Sequence, residues 1–361
     1  MTNHTDEDMG GMGGSGMSPV PSGGSMAGGM AMGGMMDCNG GSIPDRQGNF
    51  QGHAFPGTIF IIWGLHWFIS ASWRYLCSTR TGRAYRSRSF EGLLPMIPQL
   101  GGFNRYPVEP VLKAIGGLLL FVLQITYGSY KFLYCPDGSR QGRIVTQHLN
   151  SWSHASMNLG FSLSGIVELV GLHIKLPEGT NQVVLSGAFF IEAMLFSLHE
   201  KNGHLDQTDH WLLAQCCWAG AIFAALEAAW PEAFLLTVGR AGAMLLQGTW
   251  FWQSGFVLFG GSLVWNDLFM GKEDEAPAMF MPLVFAFHLL VLQALLLLVY
   301  MAVELVYRRQ HPGAHNAVHE PELHAPSNGG YETSRLLTDE DEAQGLKSIP
   351  LGNLRHEVRR V

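Results

Sequence analysis

Seven runs of about 20 apolar residues, parted by short polar or charged gaps, constrain this chain more than any other feature. They fall near residues 54–76, 108–133, 152–172, 183–198, 211–230, 234–258 and 278–307. A run of that length crosses a hydrocarbon core of roughly 30 Å as a helix, with every backbone polar group satisfied internally. Composition agrees: 47% of residues are hydrophobic and only 14% charged, against about 25% charged in an ordinary soluble domain. The charges also crowd into the ends and gaps. The fold expected is therefore all-α, a polytopic integral membrane protein with the lipid bilayer as its partner. A soluble helical bundle is the alternative class. The net charge of -7 comes partly from the ends and implies no nucleic-acid partner.

The gaps orient the spans. Arg74, Arg80, Arg83, Arg86 and Arg88 follow the first run with no acidic residue before Glu91, a positive-inside signal. The N-terminus is then expected outside or in the lumen, and an odd span count leaves the C-terminus cytosolic behind Arg308-Arg309. Lys113 is expected to snorkel from the cytosolic end of span two, and Glu227 to pair with Arg240. Cys38 and Cys135 share the non-cytosolic side and could bond. The sequence alone favours leaving them as unpaired small residues.

Both ends read as disordered tails, 1–52 and 310–361, around a membrane domain at 53–309. The first is built from Gly, Ser and Met, including Met30, Met32, Met35 and Met36, and cannot form a core. Thioether clusters favour Cu(I), while compositional drift is the plainer account. Asn3 opens a short glycosylation sequon. In the second tail Glu332, Leu336 and Leu337 match the acidic dileucine pattern read by clathrin adaptors. Such a signal is expected of a protein sorted among endosomes and lysosomes, and the Golgi and plasma membrane stay open as addresses.

Inside the spans the costly residues are imidazoles and carboxylates, which must be paired, ligated or wet. Glu192 lies seven residues before His199, nearly two helical turns and so on one face. His53 opens span one, His154 span three and His210 span five, and His288 lies within span seven. By topology these six belong to the non-cytosolic half, where imidazole and carboxylate suit a transition metal such as Zn or Cu or a proton relay. The structural alternative has each histidine tying two helices together by its own hydrogen bond. Glu168 extends the His154 face inward. Gln247, Trp250 and Gln253 on span six offer a second polar pocket, with core packing as the plainer reading.

Several stretches resemble the transmembrane protein 45 family of seven-helix membrane proteins. They are Gly52-His53-Ala54-Phe55-Pro56-Gly57, Trp152-Ser153-His154, Leu163 to Glu168, Glu192 with His199, Leu205 to His210, Leu246 to Phe259, and His288. The run Gln247-Gly-Thr-Trp-Phe-Trp-Gln253 is the most specific of them. The resemblance covers roughly residues 50 to 310 and implies the seven-helix fold and a membrane address, but no biochemical activity. Three function classes follow. The first is a membrane protein with a luminal-side His/Glu site for a transition metal or protons. The second is a non-enzymatic interaction or trafficking protein with structural histidines. The third is a zinc-dependent intramembrane hydrolase, against which stands the lack of a His-rich pair on span seven. A receptor coupled to G proteins is disfavoured by the absence of an Asp-Arg-Tyr element.

Overall fold

The computed structural model describes residues 37–41, 48–92, 106–198, 203–259 and 275–312. His199, Asn3, the methionines of the first tail and the Glu332, Leu336 and Leu337 signal lie outside the described residues. Seven helices carry the fold: α1 (Phe50–Thr81), α2 (Val108–Thr126), α3 (Thr146–Gly171), α4 (Thr180–Leu198), α5 (Gly203–Ala229), α6 (Phe234–Phe259) and α7 (Ala276–Gln310). Among the described residues the only β-pairing is a single bridge between Tyr134 and Ile144.

α1, α2, α4, α5 and α7 are long and apolar enough to cross a membrane. α3 and α6 are equally long, 26 residues each, but Ser, Asn, Gly, Gln and Trp dilute their apolarity. The reason is position. α6 buries fourteen of its residues against the other helices, and a helix walled in by protein need not be oily all round. α7 is the opposite case. Only Pro277, Ala278, Met281, Leu292, Val303 and Tyr307 are buried in it, while Leu290, Leu297, Leu298 and Leu305 stand more than half exposed. Such a surface suits hydrocarbon rather than water.

α1 and α6 run antiparallel, whereas α1 and α7 run parallel, their ends meeting where Trp73 packs on Tyr307. Side chains near the start of α1 meet the end of α6, as Phe50 packs on Phe256. The end of α1 meets the start of α6, where Tyr75 stacks on Phe234 with ring centroids 4.2 Å apart. α2 pairs with α3, α3 with α4, α4 with α5 and α5 with α6, and α7 leans on α1, α5 and α6. Glycine permits the closest approaches. A Cβ on Gly57 of α1 would lie 2.8 Å from the Gly248 carbonyl of α6, and one on Gly165 of α3 would lie 2.5 Å from the Ala114 nitrogen of α2.

The helix boundaries depart most from the sequence expectation in α2 and α5, and α1 and α3 also begin earlier than expected, at Phe50 and Thr146. α2 stops at Thr126 instead of reaching Leu133, because the chain turns through Gly128 at φ 79°. α5 starts at Gly203, eight residues before Trp211, and so carries Asp206, Asp209 and His210 on regular helix. The turn after α2 then folds on itself, with Cys135 N donating to Arg143 O at 2.9 Å and Val145 N to Leu133 O at 3.0 Å.

Cys38 and Cys135 are disulfide-bonded, with Cα atoms 5.5 Å apart. This corrects the expectation of unpaired cysteines. Sequence spacing says little about a bond across 97 residues. Asp37 and the Pro136-Asp137-Gly138 turn bring the two strands of chain together, helped by the Arg140 N–H that donates to Cys38 O at 3.1 Å. The bond marks one end of the bundle, called the disulfide end below; the arginine end is the opposite one. Alkylation of denatured, unreduced protein should count three thiols, those of Cys77, Cys216 and Cys217, rising to five on reduction. A count of five without reductant contradicts the bond. Cys38→Ser should cost about 2–4 kcal/mol of stability.

Candidate functional site

Two groups of buried polar side chains occupy opposite ends of the bundle. At the arginine end the charges are paired. Lys113 on α2 places its ammonium 2.6 Å from Glu168 Oε1 on α3 and 3.1 Å from Glu109 Oε1 one turn earlier on its own helix. Glu109 is further held by donors from α1, Trp63 Nε1 at 3.0 Å and Trp67 Nε1 at 2.7 Å. Its other oxygen accepts the Glu91 N–H at 2.9 Å. Beside this cluster Arg240 on α6 donates to Glu227 on α5 at 2.5 Å, both side chains fully buried. The guanidinium lies 4.1 Å over the Trp67 ring, a cation–π contact that uses its weakly hydrated face. Arg74 on α1 forks onto both carboxylate oxygens of Glu91.

These pairs exist because isolated charges in an apolar interior cost several kcal/mol each. Three cations face four carboxylates, and the neutral donors Trp63 and Trp67 offset the excess on Glu109. His66 closes the edge of the cluster. Its Nε2–H donates to the Gly92 carbonyl at 2.9 Å, so Nδ1 faces Glu109 Oε2, 3.9 Å away. Lys113 is thus not a snorkelling residue. With 3% of its surface exposed, it ends in a buried pair because two carboxylates reach it sooner than water does. The Glu227–Arg240 pair forms as the sequence suggested.

The disulfide end is arranged differently. His210 on α5 directs Nδ1 to Asp206 of the preceding turn, 2.8 Å from Oδ1 and 3.0 Å from the carbonyl. His53 on α1 directs its Nδ1 to the Asn49 carbonyl at 3.3 Å. The two rings meet edge to face, centroids 5.6 Å apart. Each imidazole therefore keeps its N–H on its own helix and leaves Nε2 as the basic nitrogen. Deeper in, Asp209 is fully buried, and its carbonyl accepts from Trp250 Nε1 at 3.2 Å. Glu192 on α4 is 3% exposed, and Gln247 on α6 and Cys217 on α5 lie against its carboxyl. Neither Glu192 Oε2 nor the Gln247 amide atoms complete a hydrogen bond of good geometry. Among the described residues no arginine or lysine forms an ion pair with Glu192.

The structure thus gathers some expected site residues and separates others. His53 meets His210. Glu192 and Gln247, assigned by sequence to two separate sites, share one. Trp250 is fully buried behind them. His288 turns elsewhere: its Nε2–H donates to Thr249 Oγ1 at 2.8 Å, since that hydroxyl already donates to the Leu245 carbonyl at 2.9 Å. This is the structural histidine, tying α7 to α6. Glu168 belongs to the charged cluster at the other end, paired with Lys113. His154 and Gln253 are half-buried, on α3 and α6. Among the described residues no three His, Cys, Asp or Glu side chains gather closely enough to hold a metal ion.

An aromatic layer lies between the two ends, where Phe60 packs on Phe161 and Phe251, and Phe161 on Phe189. Sequence reading missed the roles of Glu91 and Glu109. The available signal was Glu109 and Lys113 at i, i+4 inside an apolar run, a pair that shares one helix face.

A family model described as "Family of unknown function (DUF716)" matches residues 178–301. That stretch holds Glu192, His210, Gln247, Trp250 and His288, but not His53 or His154. Transmembrane epididymal protein 1A of Mus musculus is 22% identical over 307 residues, covering 82% of this chain and 94% of the relative. The relative's name and the five long apolar helices together point to an integral membrane protein.

The charged cluster sets a measurable expectation. Lys113→Met should cost roughly 3–5 kcal/mol by leaving two buried carboxylates without a cation. Adding Glu168→Gln should recover part of that loss, with a coupling above about 1 kcal/mol in a double-mutant cycle followed by unfolding in detergent. Additive losses would mean that the two groups do not form a pair.

Proposed function

We propose that this chain is a seven-span membrane protein of the secretory and endosomal membranes, and that the disulfide end of its bundle exchanges protons. The N-terminus faces the lumen or exterior and the C-terminus the cytosol. Two independent features support that orientation. Disulfides persist in oxidising compartments, and the arginines after α1 gather at the opposite end, as the positive-inside rule requires. The fit of residues 178–301 to one family model supports the likeness to the transmembrane protein 45 family, whose most specific motif here, residues 247–253, lies inside that stretch.

One observation carries the proton reading: a buried carboxyl, Glu192, that no arginine or lysine among the described residues pairs with, behind a pair of imidazoles. A carboxyl in that position meets the cost of desolvation by holding a proton or recruiting a cation. His210, oriented by Asp206 and met by His53, stands between it and the bundle end, and histidine is the side chain suited to passing protons near neutral pH. The imidazole pair of His53 and His210 and the uncharged amide and thiol around Glu192 support proton exchange as the reading preferred to a Zn or Cu site or zinc-dependent hydrolysis. No turnover of a substrate is required.

Infrared difference spectra of the reconstituted full-length protein between acid and neutral buffer test this directly. A protonated-carboxyl stretch that shifts in deuterium oxide should appear, and should vanish in Glu192→Gln. In His210→Gln the same band should remain but respond more slowly to a pH jump. A Glu192→Gln spectrum superposable on that of the unaltered protein would overturn the assignment.

A further inference from the structure

Residues 85–92 have no regular secondary structure, yet they are held as tightly as a helix. Their side chains alternate: Tyr85, Ser87, Ser89 and Glu91 point inward with 6%, 6%, 3% and 4% exposure, while Arg86 and Arg88 stand exposed. This two-residue period belongs to extended chain, here without a neighbouring strand. The backbone is satisfied by the helices instead. Ser87 N–H donates to the Pro231 carbonyl at 2.6 Å and Glu91 N–H to Glu109. The carbonyls of Arg86, Arg88 and Gly92 accept from Arg74 at 2.6 Å, Arg240 at 2.8 Å and His66 at 2.9 Å. Tyr85 donates to Thr237 of α6 at 3.1 Å. Burial raises the Tyr85 phenol above its ordinary value, against the pull of Arg74, which keeps it a donor. Ser89 reaches the Glu168 carboxyl.

We propose that residues 85–92 form a removable plug, seated in the arginine end of the bundle and covering the Lys113–Glu168 pair. A permanent wall in a membrane bundle is made of helix, whose hydrogen bonds are its own. This segment borrows nearly all of its bonds from five surrounding elements, so it can leave without unfolding itself or them. Gly82, in the left-handed region at φ 64°, turns the chain just ahead of it. The four residues that grip the plug, Arg74, His66, Glu109 and Arg240, are also those of the charged cluster. Withdrawal would open that cluster to water from the arginine end. The inference stands on packing and does not depend on the proton reading.

Thiol reactivity tests it in purified full-length protein carrying Cys77→Ser, with a small charged maleimide as the probe. The thiol placed by Ser89→Cys should react slowly. It should react at least tenfold faster when Glu91→Gln removes the fork onto Arg74, and about fivefold faster when Tyr85→Phe removes a single hydrogen bond. A thiol placed by Ala71→Cys, fully buried in α1, reports global unfolding and should stay equally slow in both backgrounds. A rise at position 89 in either variant, with position 71 unmoved, supports the plug. Rates at 89 that ignore both changes, or that rise only together with those at 71, overturn it. Should Glu91→Gln fail to fold, the gentler Tyr85→Phe decides the question alone.

Discussion

Charge pairing in an apolar interior is the constraint on which this structure depends. Lys113, Arg240 and Arg74 bind four carboxylates contributed by α2, α3, α5 and the segment before α2. Between helices already surrounded by hydrocarbon, hydrophobic contact gives little preference for one neighbour over another. A buried ion without its partner is far costlier than a displaced leucine. The pairs therefore select which helix lies beside which, and in what register. They span α1, α2, α3, α5 and α6, leaving α4 and α7 outside the ion pairs, with α7 held by packing, by His288 and by the hydrogen bond between Tyr307 and Cys77 of α1.

The two ends of the bundle follow from opposite uses of the same chemistry. At the arginine end every carboxylate meets a cation or a set of N–H donors, so the charges are held in pairs while residues 85–92 stay seated. At the disulfide end Glu192 meets an amide and a thiol, and His53 meets His210, none of which neutralises a charge permanently. Polar groups of the second kind stabilise less and respond more. The aromatic layer of Phe60, Phe161, Phe189 and Phe251 keeps the two apart.

Much of the fold was legible, because apolar run length and loop arginines act through the bilayer and need no tertiary detail. Both ends of α6 and the Glu227–Arg240 pair were readable for the same reason: the pair is closed by one short turn. The site was legible only in part. His53 and His210 were found through their places at span ends, which topology fixes. The meeting of Glu192 with Gln247 was not, since it depends on how α4 and α6 rotate about their axes. Lys113 was misread because snorkelling is the default for a lysine near a span end, and only Glu168, on another helix, overrides it. The Cys38–Cys135 bond and the plug at residues 85–92 share that cause: each rests on contacts between segments far apart in sequence.

Buried ion pairs fix the helix arrangement, and exchanging the two partners of one pair puts this to the test. Arg240→Glu and Glu227→Arg should each abolish a sharp thermal unfolding transition of the purified protein, by burying two like charges together. The doubly exchanged chain, with the same charges in reversed places, should regain that transition in large part. Single variants that unfold like the unaltered protein would contradict the account, and so would a double variant no better than either single one.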